Sequence, residues 1–225
     1  VTVAVVQFGG SNCDRDAERA LAHLGIDAEL VWHEDGLPDA ASGIMLPGGF
    51  SYGDYLRAGA IAANSPIMAE VREATEKGTP LLGVCNGAQI GSESRLTPGA
   101  FTTNASARFQ CERVHVRVEN ADTPWTAAYD EGEVVELPIA HGEGRFEVTD
   151  DHLEELERED RILFRYCDED GAVTPEANPN GSKGNVAGVA GERENVAVLM
   201  PHPERITLPD IGETDGQGIL RGFEN

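Results

Sequence analysis

The sequence predicts an α/β fold: an open, mostly parallel twisted sheet with helices on both faces and antiparallel extensions. Three observations predict it. Short apolar runs alternate with amphipathic stretches of helical period up to Gly99, the pattern of strands joined by crossover helices. One apolar run ends in Gly83-Val84-Cys85-Asn86-Gly87, glycines flanking a residue that sits where strand turns sharply into helix. Beyond Gly99 the period shortens towards that of strands.

Residues 2–7 read as the first strand. Ser11 or Asn12 can cap a helix to about Leu24, with Ala17, Ala20, Leu21 and Leu24 on one face. Residues 28–32, 43–46 and 80–84 are the next strands, each a short apolar run. Residues 54–63 and 66–77 have helical period, and Gly78 closes the second. In residues 107–118, Phe109 and Cys111 share one parity and Val114, Val116 and Val118 the other, a slip that a bulge would absorb. Residues 134–139, 161–166, 186–189 and 196–199 are further strands, and 151–159 a short acidic helix, expected to be a solvated face rather than a metal site. No repeat is evident, and the later strands read as sheet extensions, so residues 1–225 are expected to form one domain.

Composition excludes several classes. No run approaches the roughly 18 apolar residues of a membrane span, and the apolar start lacks a basic leader, so it reads as a strand. Forty acidic residues against seventeen basic ones give a charge of −23, which repels nucleic acid backbones. The acids are spread rather than blocked, and lysine occurs only at Lys77 and Lys183. This is the balance expected of a halophile's cytoplasmic protein, since at molar salt a Debye length of about 3 Å screens the self-repulsion. Cys13, Cys85, Cys111 and Cys167 are far apart in sequence, with no metal-ligand spacing, and are expected to be free thiols, Cys111 and Cys167 within the core. Asn104-Ala105-Ser106 and Asn180-Gly181-Ser182 match the glycosylation pattern and read as accidental in such a chain.

The chemistry centres on Cys85. A cysteine at a helix start feels the positive end of the helix dipole, which favours thiolate. Two Gly-Gly turns, at Gly9-Gly10 and Gly48-Gly49, also leave strand ends, where open sheets of this kind bind ligands. The Gly49 and Asn86 backbone N–H groups are the candidate oxyanion hole. A thiol nucleophile needs a base. In Met200-Pro201-His202-Pro203-Glu204 the prolines favour extended chain, so Glu204 faces the same way as His202 and can orient its ring. His141, in Pro138-Ile139-Ala140-His141-Gly142-Glu143-Gly144-Arg145, is the competing base.

With these residues assembled, the chain resembles the class I glutamine amidotransferases, whose fold is flavodoxin-like. Gly83 to Gln89 and the distant Pro-His-Pro-Glu carry the resemblance. Four segments, at residues 7–14, 46–59, 138–145 and 200–205, narrow it to the glutaminase subunits of phosphoribosylformylglycinamidine synthases, over nearly the whole chain. Gly9 stands where that pattern has proline, Ala88 where it has phenylalanine, and Ser92-Glu93-Ser94-Arg95 is unusual after the elbow. The resemblance implies that Cys85 attacks the side-chain amide of glutamine, with His202 and Glu204 completing a triad. It further implies that Gln89, His141 and Gly142 line the glutamine pocket, and that ammonia passes to a large synthase subunit holding ATP and magnesium, often beside a small third subunit. The chain has no Gly-x-x-x-x-Gly-Lys phosphate loop, and no cofactor or metal of its own is expected. Another amidotransferase subunit would keep the triad without the 46–59 segment, and a cysteine hydrolase or protease would share only the elbow.

Overall fold

A computed structural model describes residues 1–209 and 214–224. Its first half runs β1 (Thr2–Gln7), α1 (Asp14–His23), β2 (Asp27–Trp32), β3 (Gly43–Leu46), α2 (Ile67–Glu76), β4 (Leu81–Val84) and α3 (Asn86–Glu93). Then follow β5 (Ala100–Thr102), β6 (Gln110–Val118), β7 (Val134–His141), β8 (Arg145–Glu147), α4 (Asp150–Arg158), β9 (Ile162–Cys167), β10 (Val186–Ala190), β11 (Val196–Leu199) and α5 (Gln217–Leu220). Nine strands form one sheet in the order β2-β1-β3-β4-β11-β10-β9-β6-β7, while β5 and β8 pair separately. From β2 to β11 every pairing is parallel, and from β11 to β7 every pairing is antiparallel. The α/β class with antiparallel extensions is as expected.

Strand alternation explains why both faces are covered. In β1, Val3 and Val5 pack with Ala17, Ala20 and Leu21 of α1, whereas Ala4 and Val6 pack with Ile67, Met68 and Val71 of α2. A sheet buried on both sides reads as a continuous apolar run, which is why β3 and β4 are buried throughout. α4 is acidic on its solvent side and buries Leu156; Thr149 caps it by accepting the His152 N–H. Among the described residues no helix is long and apolar enough to cross a membrane.

Four local expectations are corrected. Neither Ser11 nor Asn12 caps α1: the cap position is Cys13, and Ser11 Oγ accepts the Phe8 N–H in the preceding turn. Residues 54–63 do not form a helix, because Tyr52, Asp54 and Leu56 all adopt positive φ, which a right-handed helix cannot contain. Only short 3-10 turns occur there, at Ser51–Asp54 and Ala62–Asn64. β6 pairs with β7 in unbroken register from Gln110–His141 to Arg117–Val134, so no bulge corrects the slip. The slip exists because Phe109 and Cys111 are exposed, and Cys111 is not a core residue. All four cysteines are free thiols, and Cys167 is buried as expected.

Candidate active site

The site forms where the parallel strands end. β4 delivers Cys85, β3 delivers the Gly48-Gly49 turn, β1 delivers residues 8–12, and β11 leads into His202. Cys85 sits at φ 51°, ψ −106°, a strained conformation for a residue with a side chain, at the N-cap of α3. Its own N–H is held by Leu199 O at 2.9 Å, so the elbow is fixed to the strand that carries the histidine. A Cβ on Gly87 would lie 1.8 Å from Leu46 O, which is why the helix behind the nucleophile needs glycine as its second residue.

His202 and Glu204 come together as predicted. His202 Nδ1 lies 2.6 Å from Glu204 Oε1, with both residues buried. Burial opposes a charge on this imidazole, but the Glu204 carboxylate and the sulfurs of Cys85 and Cys13 outweigh it and hold its pKa well above the ordinary histidine value. The other ring nitrogen, Nε2, has no hydrogen-bond partner among the described residues, and the ring interacts with the sulfurs of Cys85 and Cys13. An oriented ring of raised pKa beside a thiol can take the thiol's proton and hold it.

A cavity of about 210 Å³ opens at the sulfur. It is lined by Gly49, Cys85, Gln89, His141 and Gly142, all predicted, and by Phe50, Asp54, Phe109 and Glu143, which sequence reasoning did not assign. Asn86 opens α3, so its N–H has no intrahelical acceptor. Gly49 is held in a bridge to Ser11, at φ 153°. Three hydrogen bonds lock these parts together: Ser51 N–H to Asn86 Oδ1 (3.1 Å), Asn86 Nδ2 to Gln89 Oε1 (2.8 Å) and Gln89 Nε2 to Glu143 O (2.7 Å). Gln89 therefore joins the elbow to the 140s turn as well as facing the cavity. Burial and the neighbouring Glu143 carboxylate push the Asp54 acid up to about 6.

His141 is not placed as a base. Its Nδ1 lies 3.2 Å from Asn104 Oδ1 and its Nε2 3.5 Å from Asn180 Nδ2, so both nitrogens are occupied by neutral partners. Burial, then the charge on His202, lowers its pKa to about 4. Asn104 also accepts the Gly144 N–H and donates to His141 O, and Asn180 donates to Gly144 O. The two asparagines of the apparent glycosylation motifs are thus buried struts of the pocket wall, and their spacing from His141 left no local signal of it. The unusual Glu93 also has a place: both its oxygens are bound by Arg57, which ties the 46–59 segment to the end of α3. Cys13, His202 and Glu204 offer donor atoms within 4.8 Å of one another, a set that a soft metal could use, but Arg205 Nη2 lies 3.0 Å from the Cys13 sulfur, where its charge opposes a cation.

This geometry can be compared with known proteins. A model of the CobB/CobQ-like glutamine amidotransferase domain matches residues 1–213. The chain belongs to the CobB/CobQ-like glutamine amidotransferase family. Among amidotransferases of this family it is 75% identical to the phosphoribosylformylglycinamidine synthase subunit PurQ of Natronomonas pharaonis, over 99% of this chain and 100% of that one. It is 71% identical to the PurQ subunit of Halobacterium salinarum, again over 99% and 100%. The structure of PurLQS from Thermotoga maritima superposes with a TM-score of 0.88 at 42% identity, covering 100% of this chain and 97% of that one. The halophilic character read from the charge fits these relatives. This chain is thus a glutamine amidotransferase, an enzyme acting on glutamine.

Proposed function

We propose that this chain is the glutaminase subunit of a phosphoribosylformylglycinamidine synthase, acting in purine biosynthesis in the cytoplasm. The observation that carries the reading is Cys85, strained at the head of α3 and opening into a cavity, with the sealed His202–Glu204 pair behind it. Its likeness over full length to PurQ subunits supports the choice of synthase.

In this reading His202 draws the Cys85 proton, and the thiolate attacks the side-chain amide carbon of glutamine. The oxyanion is held by the Gly49 and Asn86 N–H groups, and Gln89, His141 and Gly142 shape the pocket around the substrate. The tetrahedral adduct expels nitrogen, which takes the proton from His202 and leaves as ammonia, with a glutamyl thioester remaining on Cys85. His202 then takes a proton from water as it attacks the thioester, and glutamate departs with the thiolate restored. Glu204 orients the ring throughout and stabilises the imidazolium each time it forms. Ammonia passes to a large synthase subunit, where ATP and magnesium drive conversion of formylglycinamide ribonucleotide to the amidine, with a small third subunit completing the assembly.

The test is a glutaminase assay with and without the synthase subunit. Glutamate release should rise when the partner and its nucleotide substrate are added. Cys85→Ala should abolish glutamine-dependent synthesis yet leave synthesis from free ammonia intact. Cleavage of peptides in place of glutamine, or loss of the ammonia-dependent rate as well, would overturn the reading.

A further inference from the structure

We propose that Cys13 is a positioning residue, a sulfur wedge between the Arg205 guanidinium and the His202 imidazole that lets His202 carry its proton. The inference deepens the triad reading and rests on it. Cys13 stands at the N-cap of α1 and is buried, far from Cys85 in sequence and outside the cavity lining. Its thiol donates to Asn12 Oδ1 at 3.2 Å and accepts from Arg205 Nη2 at 3.0 Å. With its hydrogen turned to Asn12, the sulfur presents lone pairs to the two cationic groups.

Cys13 also lies near the His202 ring. Donor atoms of Cys13, His202 and Glu204 lie within 4.8 Å of one another. A Cβ built on Gly48 would lie 2.7 Å from His202 Cε1 and 3.0 Å from Cys13 Sγ, so ring and sulfur pack side by side against that turn with no space for another group. The charged and titratable groups facing His202 are Glu204 from its own turn, Cys85 from the elbow, Cys13 from α1 and His141 from β7. Arg205 follows in the same turn, donating to the Cys13 sulfur and lying 3.5 Å from the Asp16 carboxylate, with the Glu204 charge also favouring its cation.

Physical chemistry gives the wedge its purpose. Two cations side by side in a buried site repel strongly, because little solvent screens them. A polarisable acceptor between them is attracted to both. Removing the sulfur leaves Arg205 facing the imidazolium, which disfavours the protonated ring and with it the Cys85 thiolate that the ring stabilises. Cys13 touches neither substrate nor the reacting atoms, so it acts through His202.

The experiment follows the rate of Cys85 alkylation by iodoacetamide against pH, read on the Cys85 peptide by mass spectrometry in the full chain. Cys13→Ala should raise the midpoint of that curve by about one pH unit, so that Cys85 reacts roughly tenfold more slowly below it. Cys13→Ser restores an acceptor and should return the midpoint towards wild type. Arg205→Gln in the Cys13→Ala background removes the repelling charge and should do the same. A merely structural role would lower rates without moving the midpoint. An unmoved midpoint in Cys13→Ala, or a shift that neither Cys13→Ser nor Arg205→Gln reverses, overturns the proposal. A wild-type Cys85 that shows no thiolate titration, or a Cys85→Ala chain that still hydrolyses glutamine, would instead remove the triad reading beneath it.

Discussion

Glu204 Oε1 accepts a hydrogen bond from His202 Nδ1 at 2.6 Å, and the two side chains are sealed from solvent. Because the carboxylate can only accept, the ring nitrogen facing it must donate, which leaves Nε2 to exchange protons with the nucleophile and the substrate. Glu204→Gln keeps the shape but can present a donor to Nδ1, favouring the wrong tautomer. The expected result is a fall in kcat of about 10²–10⁴ with an unchanged circular-dichroism spectrum. A kcat within twofold of wild type would show that the ring is oriented by something else.

Gly49 offers a second test. A Cβ there would lie 2.8 Å from Ser11 Cα and 2.9 Å from Asn12 N, both backbone atoms that cannot yield cheaply. Gly49→Ala should therefore displace the turn and its N–H from the oxyanion position. The expected loss is about 10²–10³ in kcat for glutamine hydrolysis, with formation of the thioester slowed in single-turnover experiments. Cys85 alkylation should change far less, since no oxyanion forms there. Equal loss in both would assign the effect to a collapsed elbow.

Acid sensitivity follows from His141. Its folded pKa, lowered to about 4 by burial and by His202, lies below the unfolded value, so the unfolded state binds more protons over the interval between them. Stability contributed by keeping this ring neutral is therefore present above about pH 6.5 and is lost as pH falls towards 4, by about 3 kcal/mol in all. Denaturant midpoints at pH 7 and pH 5 should differ more for wild type than for His141→Gln. The same pH dependence in both proteins would exclude this ring as the source.

The parts legible in the sequence were those encoded by local rules. The parallel strands fell within a residue of their predicted places, because a doubly covered parallel sheet writes itself as short apolar runs, whereas β6 begins three residues later than expected and β5 and β8 were not foreseen. Cys85 was legible because the elbow needs glycine on both sides, and Glu204 because an extended chain puts alternate residues on one side. The 54–63 segment misled, since its helical period of apolar residues survives in a chain whose positive φ angles forbid a helix. Cys111 misled for a similar reason: strand parity says which residues share a face, but not which face is wet. The pattern matches at Asn104 and Asn180 read as accidental, and only their position against His141 shows them to be buried struts.

By itself, then, the sequence determined the α/β class, the strand-to-helix turn at Cys85 and the pairing of His202 with Glu204, because each depends on neighbours a few residues away. Tertiary structure alone decided which side chains surround them. It brought Arg205 against Cys13 near the His202 ring, Asn86 under the Gly49 turn, and the asparagine struts onto His141. Those contacts join residues from distant elements, and their energies depend on burial and mutual distance, quantities that exist only once the sheet has set its strand ends side by side.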